Sequence, residues 1–181
     1  LRRELMLRSK FPHLVVKPVR GNVGTRLRKL DSGEYDALIM ASAGLKRLGL
    51  EERIREIISD EISLPSPGQG ALGLECLDDE KTREAVAFIN DEQTRACCLA
   101  ERAVSRALGG SCQVPLAAYA TITDSTMRLR ALIGDHTTGE LVATEQTGPW
   151  TEYERLASEA VDALLKRGAR RYIEKLLTNQ H

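Results

Sequence analysis

Aromatic residues are scarce in this chain: two Phe, one Trp and four Tyr among 181 residues. Binding single-stranded nucleic acid by stacking needs several rings on a basic surface, and Phe11 is the only Phe, Tyr or Trp in the basic first thirty residues. No nucleic-acid partner is therefore expected. The four cysteines, Cys76, Cys97, Cys98 and Cys112, show no C-x-x-C spacing, and three histidines are too few to complete a common zinc pattern. No metal site is expected, and reduced thiols in a cytoplasmic protein are the simplest reading. No run of about 18 apolar residues is present, so no membrane helix is expected. No secretory signal opens the chain. It begins Leu1-Arg2-Arg3 without Met, which gives the expectation that it is cut from something longer.

Net charge is also absent, but the balance is uneven. The first thirty residues hold nine bases (Arg2, Arg3, Arg8, Lys10, Lys17, Arg20, Arg26, Arg28, Lys29) against Glu4, a net +8, so the remainder carries −8. That asymmetry points to an anionic ligand for the first segment. Arg8, Lys10, Arg28 and Lys29 read as solvated surface charge.

Strand and helix signals alternate at the start. Leu14–Lys17 and Ala37–Ala41 read as strands, and Val23–Leu30, Ala43–Leu48 and Glu51–Ile58 as helices. Such alternation implies an α/β layer structure. Pro65-Ser66-Pro67-Gly68-Gln69-Gly70 disfavours the interior of either element and reads as a hinge. Ala71–Glu75 and Glu80–Ile89 follow as a strand and a helix. From about residue 91 the pattern changes. Ala96, Leu99, Ala100, Ala103, Val104, Ala107 and Leu108 recur every three or four residues, which predicts an amphipathic helix stopped by Gly109. Val114–Ile122, Met127–Gly134 and Glu140–Thr147 read as three antiparallel strands joined by short turns. Thr151 opens a helix with Glu154 completing a capping box, Gly168 stops it, and Ala169–Leu177 forms a last helix. The second half is thus an α+β domain with a three-stranded sheet covered by helices.

Two features carry chemistry. Cys112, in Gly109-Gly110-Ser111-Cys112-Gln113-Val114-Pro115, is presented on a glycine loop between a helix and a strand, where a thiol is sterically open. A buried small side chain at a strand start fits the same letters. Arg20, Arg26 and Arg47 fall at predicted strand-to-helix turns, where free backbone N–H groups and clefts favour anions, and Arg2 and Arg3 lie side by side. An arginine fork matches a carboxylate bidentately, so together these suggest a carboxylate-binding wall.

Gly-Gly-Ser-Cys-Gln-Val-Pro resembles the cofactor-attachment loop of the porphobilinogen deaminase family. Val19-Arg20-Gly21-Asn22-Val23-Gly24-Thr25-Arg26-Leu27, Ala43-Gly44-Leu45-Lys46-Arg47-Leu48-Gly49 and Leu64-Pro65-Ser66-Pro67-Gly68-Gln69-Gly70-Ala71 resemble further blocks of that family, in its order. Many relatives have Gly-Gly directly before Cys, a small departure here. The resemblance implies a periplasmic-binding-protein-like middle domain over residues 1–64 and a hinge at 65–70. It also implies a strand and helix (71–90) crossing back to an N-terminal domain, and a C-terminal domain from 91 on.

By the same resemblance, Cys112 holds a dipyrromethane primer through a thioether. Arg2, Arg3, Arg20, Arg26, Arg47 and Gln69 contact that cofactor, and Arg20, Arg26 and Arg47 also contact the substrate. The activity implied is deamination and head-to-tail condensation of four porphobilinogen molecules, releasing hydroxymethylbilane and ammonia. The family's catalytic aspartate belongs to an N-terminal domain that nothing here matches. The expectation is a chain inactive alone, partnered by that domain in the same or a separate chain, with a monomeric full-length enzyme. A two-lobed receptor for small anions is the alternative; the open Cys112 counts against it.

Overall fold

A computed structural model describes residues 1–109 and 114–178. These fall into two compact units, Leu1–Leu14 with the chain from Asp60 onward, and Val15–Ser59.

The larger unit is built on β1 (Leu116–Thr123), β2 (Thr126–Gly134) and β3 (Leu141–Pro149), antiparallel in the order β1-β2-β3. Side chains alternate across its two faces. One face carries Leu116, Ala118 and Ala120 from β1 and Met127, Leu129, Ala131 and Ile133 from β2. Helices α5 (Glu92–Ala107), α6 (Tyr153–Lys166) and α7 (Arg170–Thr178) cover it. Ala96, Ala100 and Val104 of α5 and Leu156, Ala160 and Leu164 of α6 are at most 3% exposed there, which makes this the main core. Asp91 caps α5, its side chain accepting from the Thr94 amide.

On the opposite face lies α1 (Arg2–Lys10), a helix not read from the sequence: Leu5 and Met6 pack with Leu64 against Ala117 and Leu132.

The sheet and its helices therefore match the reading, with one correction at the start of α6. Thr151 and Glu154 form no capping box. Trp150–Glu152 is a 3-10 turn, and α6 begins at Tyr153 with no side-chain cap. The Trp150 amide donates to the Ser125 carbonyl at 3.1 Å, which fixes the chain one turn earlier. Glu152 is taken by Arg155 at 2.7 Å.

The turn joining β2 to β3 is tied to α7. The Asp135 carboxylate accepts from the Thr137 amide at 2.8 Å and hydroxyl at 2.7 Å, and pairs with Lys175. Lys175 first, then Thr137, holds this carboxyl well below the usual carboxylate range. A depressed folded-state pKa stabilises above the unfolded value of about 4 and ceases to as pH falls toward the folded one. Lys175→Met should therefore melt below wild type at neutral pH, with the gap closing below about pH 4, where Asp135 protonates on unfolding. Melting curves from pH 2 to 7 check this, and a gap constant across that range contradicts it.

The smaller unit holds α2 (Val23–Asp31), α3 (Ser42–Arg47) and a 3-10 turn at Glu51–Arg53. Leu27 and Leu45 are its buried side chains, and Arg53 pairs with Asp31 at 2.5 Å. The expected strands Leu14–Lys17 and Ala37–Ala41 are not there, nor is Ala71–Glu75 in the larger unit. A strand needs a neighbour for its ladder as well as an apolar run, and these find none among the described residues. Val15 is 80% and Leu72 94% exposed. The expected helix Glu51–Ile58 stops after one turn, where Ile54 is extended. Its three isoleucines favour helix weakly. Helix α4 (Glu80–Ala87) forms without burying a residue.

Candidate functional site

In the larger unit, two residues singled out from the sequence meet. Arg2 opens α1, and its guanidinium donates to the Leu64 carbonyl and, at 3.3 Å, to Gln69 Oε1. The same Oε1 accepts from the Ser66 amide at 3.1 Å, so Gln69 closes its own loop while facing a cation. Gly68 and Gly70 both have positive φ, +71° and +97°, which is why this turn needs glycine. Burial, and next the neighbouring Arg3, push the Arg2 guanidinium down to about 10. A half-buried guanidinium loses solvation, and a carboxylate beside it would favour its charged form.

The loop has a second anchor, one the sequence did not flag. Glu101 of α5 is 5% exposed. Its Oε2 accepts from the Gly68 amide at 2.6 Å and its Oε1 from the Ala120 amide of β1 at 2.8 Å. Burial raises its pKa, and the two amides and Arg102 oppose that. One carboxylate thus ties the Pro65–Gly70 turn to the helix that leads to Gly109 and to the first strand. Its signal was present: Glu101 interrupts the apolar side of α5 between Cys97, Ala100 and Val104.

In the smaller unit, Asn22 caps α2, accepting from the Thr25 amide at 2.8 Å. Gly21 before it has φ +116°, and a Cβ there would lie 2.9 Å from the Thr25 methyl. Arg26 is half-buried and its Nε donates to the Gly21 carbonyl at 2.8 Å, which leaves its Nη groups turned to no acceptor among the described residues. Arg20 and Arg47 are exposed and make no hydrogen bond or ion pair among the described residues.

Two premises about these arginines need correcting. Arg20 does not follow a strand, since none forms before it. Arg47 ends α3 rather than starting it, where the carbonyl end of the helix favours a cation. Arg20, Arg26 and Arg47 share one unit, and Arg2, Arg3 and Gln69 share the other.

Cys112, with Gly110, Ser111 and Gln113, lies outside the described residues. Gly109 before them has φ +72° and ends α5. Of the other cysteines, Cys97 is pushed up to about 11 by burial first and Glu101 next, and Cys98 is raised by burial. Both are held as thiols and are poor nucleophiles. Cys76 is exposed.

Residues 1–85 match the family model of the porphobilinogen deaminase dipyrromethane-cofactor-binding domain, and residues 95–166 match that of the porphobilinogen deaminase C-terminal domain. The chain belongs to the porphobilinogen deaminase family.

Membership makes it a transferase of tetrapyrrole biosynthesis with dipyrromethane as cofactor and porphobilinogen as substrate. The first match contains every arginine of the suggested wall and Gln69. The second contains most of α5, the sheet, all of α6 and position 112. Among the described residues no helix is long and apolar enough to cross a membrane. Dipyrromethane is a pair of pyrrole rings bearing carboxylates, and the half-buried Arg2 guanidinium is a donor that fits such a group.

Proposed function

We propose that this chain is hydroxymethylbilane synthase, joining four porphobilinogens head to tail on dipyrromethane held by a thioether to Cys112. The observation that carries the reading is the Arg2–Gln69 contact beside Arg3, inside the region matching the cofactor-binding domain. A half-buried guanidinium with a lowered pKa, set against an amide oxygen and another cation, is arranged for an anion. Arg20, Arg26 and Arg47 of the smaller unit supply further forks for the carboxylates of cofactor and substrate. Their part is electrostatic. They hold each ring by its carboxylates, so that the reacting carbons meet in one geometry. When bound, dipyrromethane supplies the pyrrole carbon from which the product grows. The reduced, partly buried thiols of Cys97 and Cys98 suit a cytoplasmic enzyme.

This chain is inactive without the family's N-terminal aspartate domain, so intact mass and peptide mapping after incubation with porphobilinogen and that domain test the assignment. The expected result is a covalent gain of two pyrrole units on the peptide containing Cys112. An unmodified chain, or an adduct on Cys76, Cys97 or Cys98, overturns it.

A further inference from the structure

A cavity of about 530 Å³ lies on the outer face of the sheet, and its lining includes none of the site residues assigned above. Met6 and Lys10 of α1 form one wall, and residues 60–64 another. The outward side chains of β2 and β3, Leu132 and Leu141 among them, form the floor. That volume is typical of small-molecule sites, which are apolar with a few polar groups to orient the ligand.

The polar groups are unevenly committed. Arg130 is 8% exposed and lies 5.8 Å from the Tyr119 ring centre, its partner across β1 and β2. It pairs with Asp60 and, at 2.6 Å, with Glu61. Arg128 takes Glu145 at 2.7 Å. The three carboxylates on the cavity wall, Asp60, Glu61 and Glu145, are therefore all neutralised by arginines. Two cations on the wall are not. Lys10 donates to the Glu61 carbonyl, and Arg167, at the end of α6, donates to the Ala143 carbonyl on edge strand β3. Neither pairs with a carboxylate among the described residues. A cation bound to a neutral carbonyl keeps its charge and has N–H groups to spare. The site offers an apolar floor, engaged acceptors and unneutralised donors. Its complement is an apolar body that carries negative charge.

We propose that this cavity binds a small amphipathic carboxylate, its apolar ring on Met6, Leu132 and Leu141 and its carboxylate at Lys10 or Arg167. The proposal does not depend on the assignment of the cofactor site. A compound bound there would touch α1 and the 60–64 segment together, and so would stabilise their seat on the sheet by mass action.

Indole-3-propionate and its neutral primary amide are the probes, titrated by calorimetry against the full chain. The expected result is saturable binding of the acid, with the amide at least tenfold weaker and the acid weakened by added salt. Lys10→Gln or Arg167→Gln should lower acid affinity at least fivefold, while Arg28→Gln, an exposed cation in the other unit, leaves it unchanged. Both cavity variants alter exposed side chains, so far-UV circular dichroism should match wild type. Absence of binding, equal binding of acid and amide, or loss of binding in Arg28→Gln but not in the cavity variants overturns the proposal.

Discussion

Cys112→Ser is expected to abolish covalent cofactor completely while leaving the folded units intact. A thioether needs a thiolate or an easily ionised thiol, and a serine hydroxyl ionises far too weakly to replace it at neutral pH. Substitution by the described cysteines is also closed off. Cys97 is held at about 11 by burial and Glu101, and Cys98 is raised by burial. Cys76 is exposed but belongs to the segment that packs on nothing buried. The change replaces one atom, so the melting temperature should stay within the range of a neutral surface substitution, about 0.5 kcal/mol. Intact mass after incubation with porphobilinogen and the family's N-terminal aspartate domain gives the first readout and thermal melting the second. Retention of the two-pyrrole mass gain in Cys112→Ser would refute the attachment site.

The second large effect concerns Gly134, the last residue of β2. It is buried and pairs with Leu141. A Cβ there would lie 2.2 Å from the Glu140 carbonyl oxygen and 2.8 Å from Leu141 Cα. Those are backbone atoms, unable to rotate aside. That same carbonyl accepts from the Asp135 amide at 2.8 Å, so moving it opens the β2–β3 turn. Gly134→Ala should cost about 3 kcal/mol or more. For a domain of this size that lowers the melting temperature by roughly 6–12 °C. Gly73→Ala, where a Cβ meets nothing within 4 Å, is the matched control and should be silent. A Gly134→Ala protein melting within 2 °C of wild type contradicts the geometry.

The legible parts of this chain are those whose partners lie close in sequence. Helix α5 and the three strands were readable because periodicity and turn residues act over a few positions, and short turns dictate antiparallel neighbours. Arg2 and Gln69, both singled out in the sequence, meet in the structure. The extended runs at 14–17, 37–41 and 71–75 were misread as strands, because an apolar run reports burial tendency and says nothing about who supplies the ladder. Arg130 and Glu101 were missed for a related reason. A lone charge on an apolar stripe looks like noise until the residue it meets, 33 positions from Glu101 at Gly68 or about 70 from Arg130 at Asp60 and Glu61, is known.

Glu101 fixes one side of the Pro65–Gly70 turn. Its two oxygens grip the Gly68 amide and β1, and Arg2 grips Leu64 and Gln69, so the turn is bolted to the sheet and α5. Beyond Gly70, where φ is +97° and no atom stands within 4 Å of a Cβ, the chain to Asn90 buries no side chain. The anchoring therefore ends at Gly70, and a substitution in the twenty residues after it has no buried contact to lose.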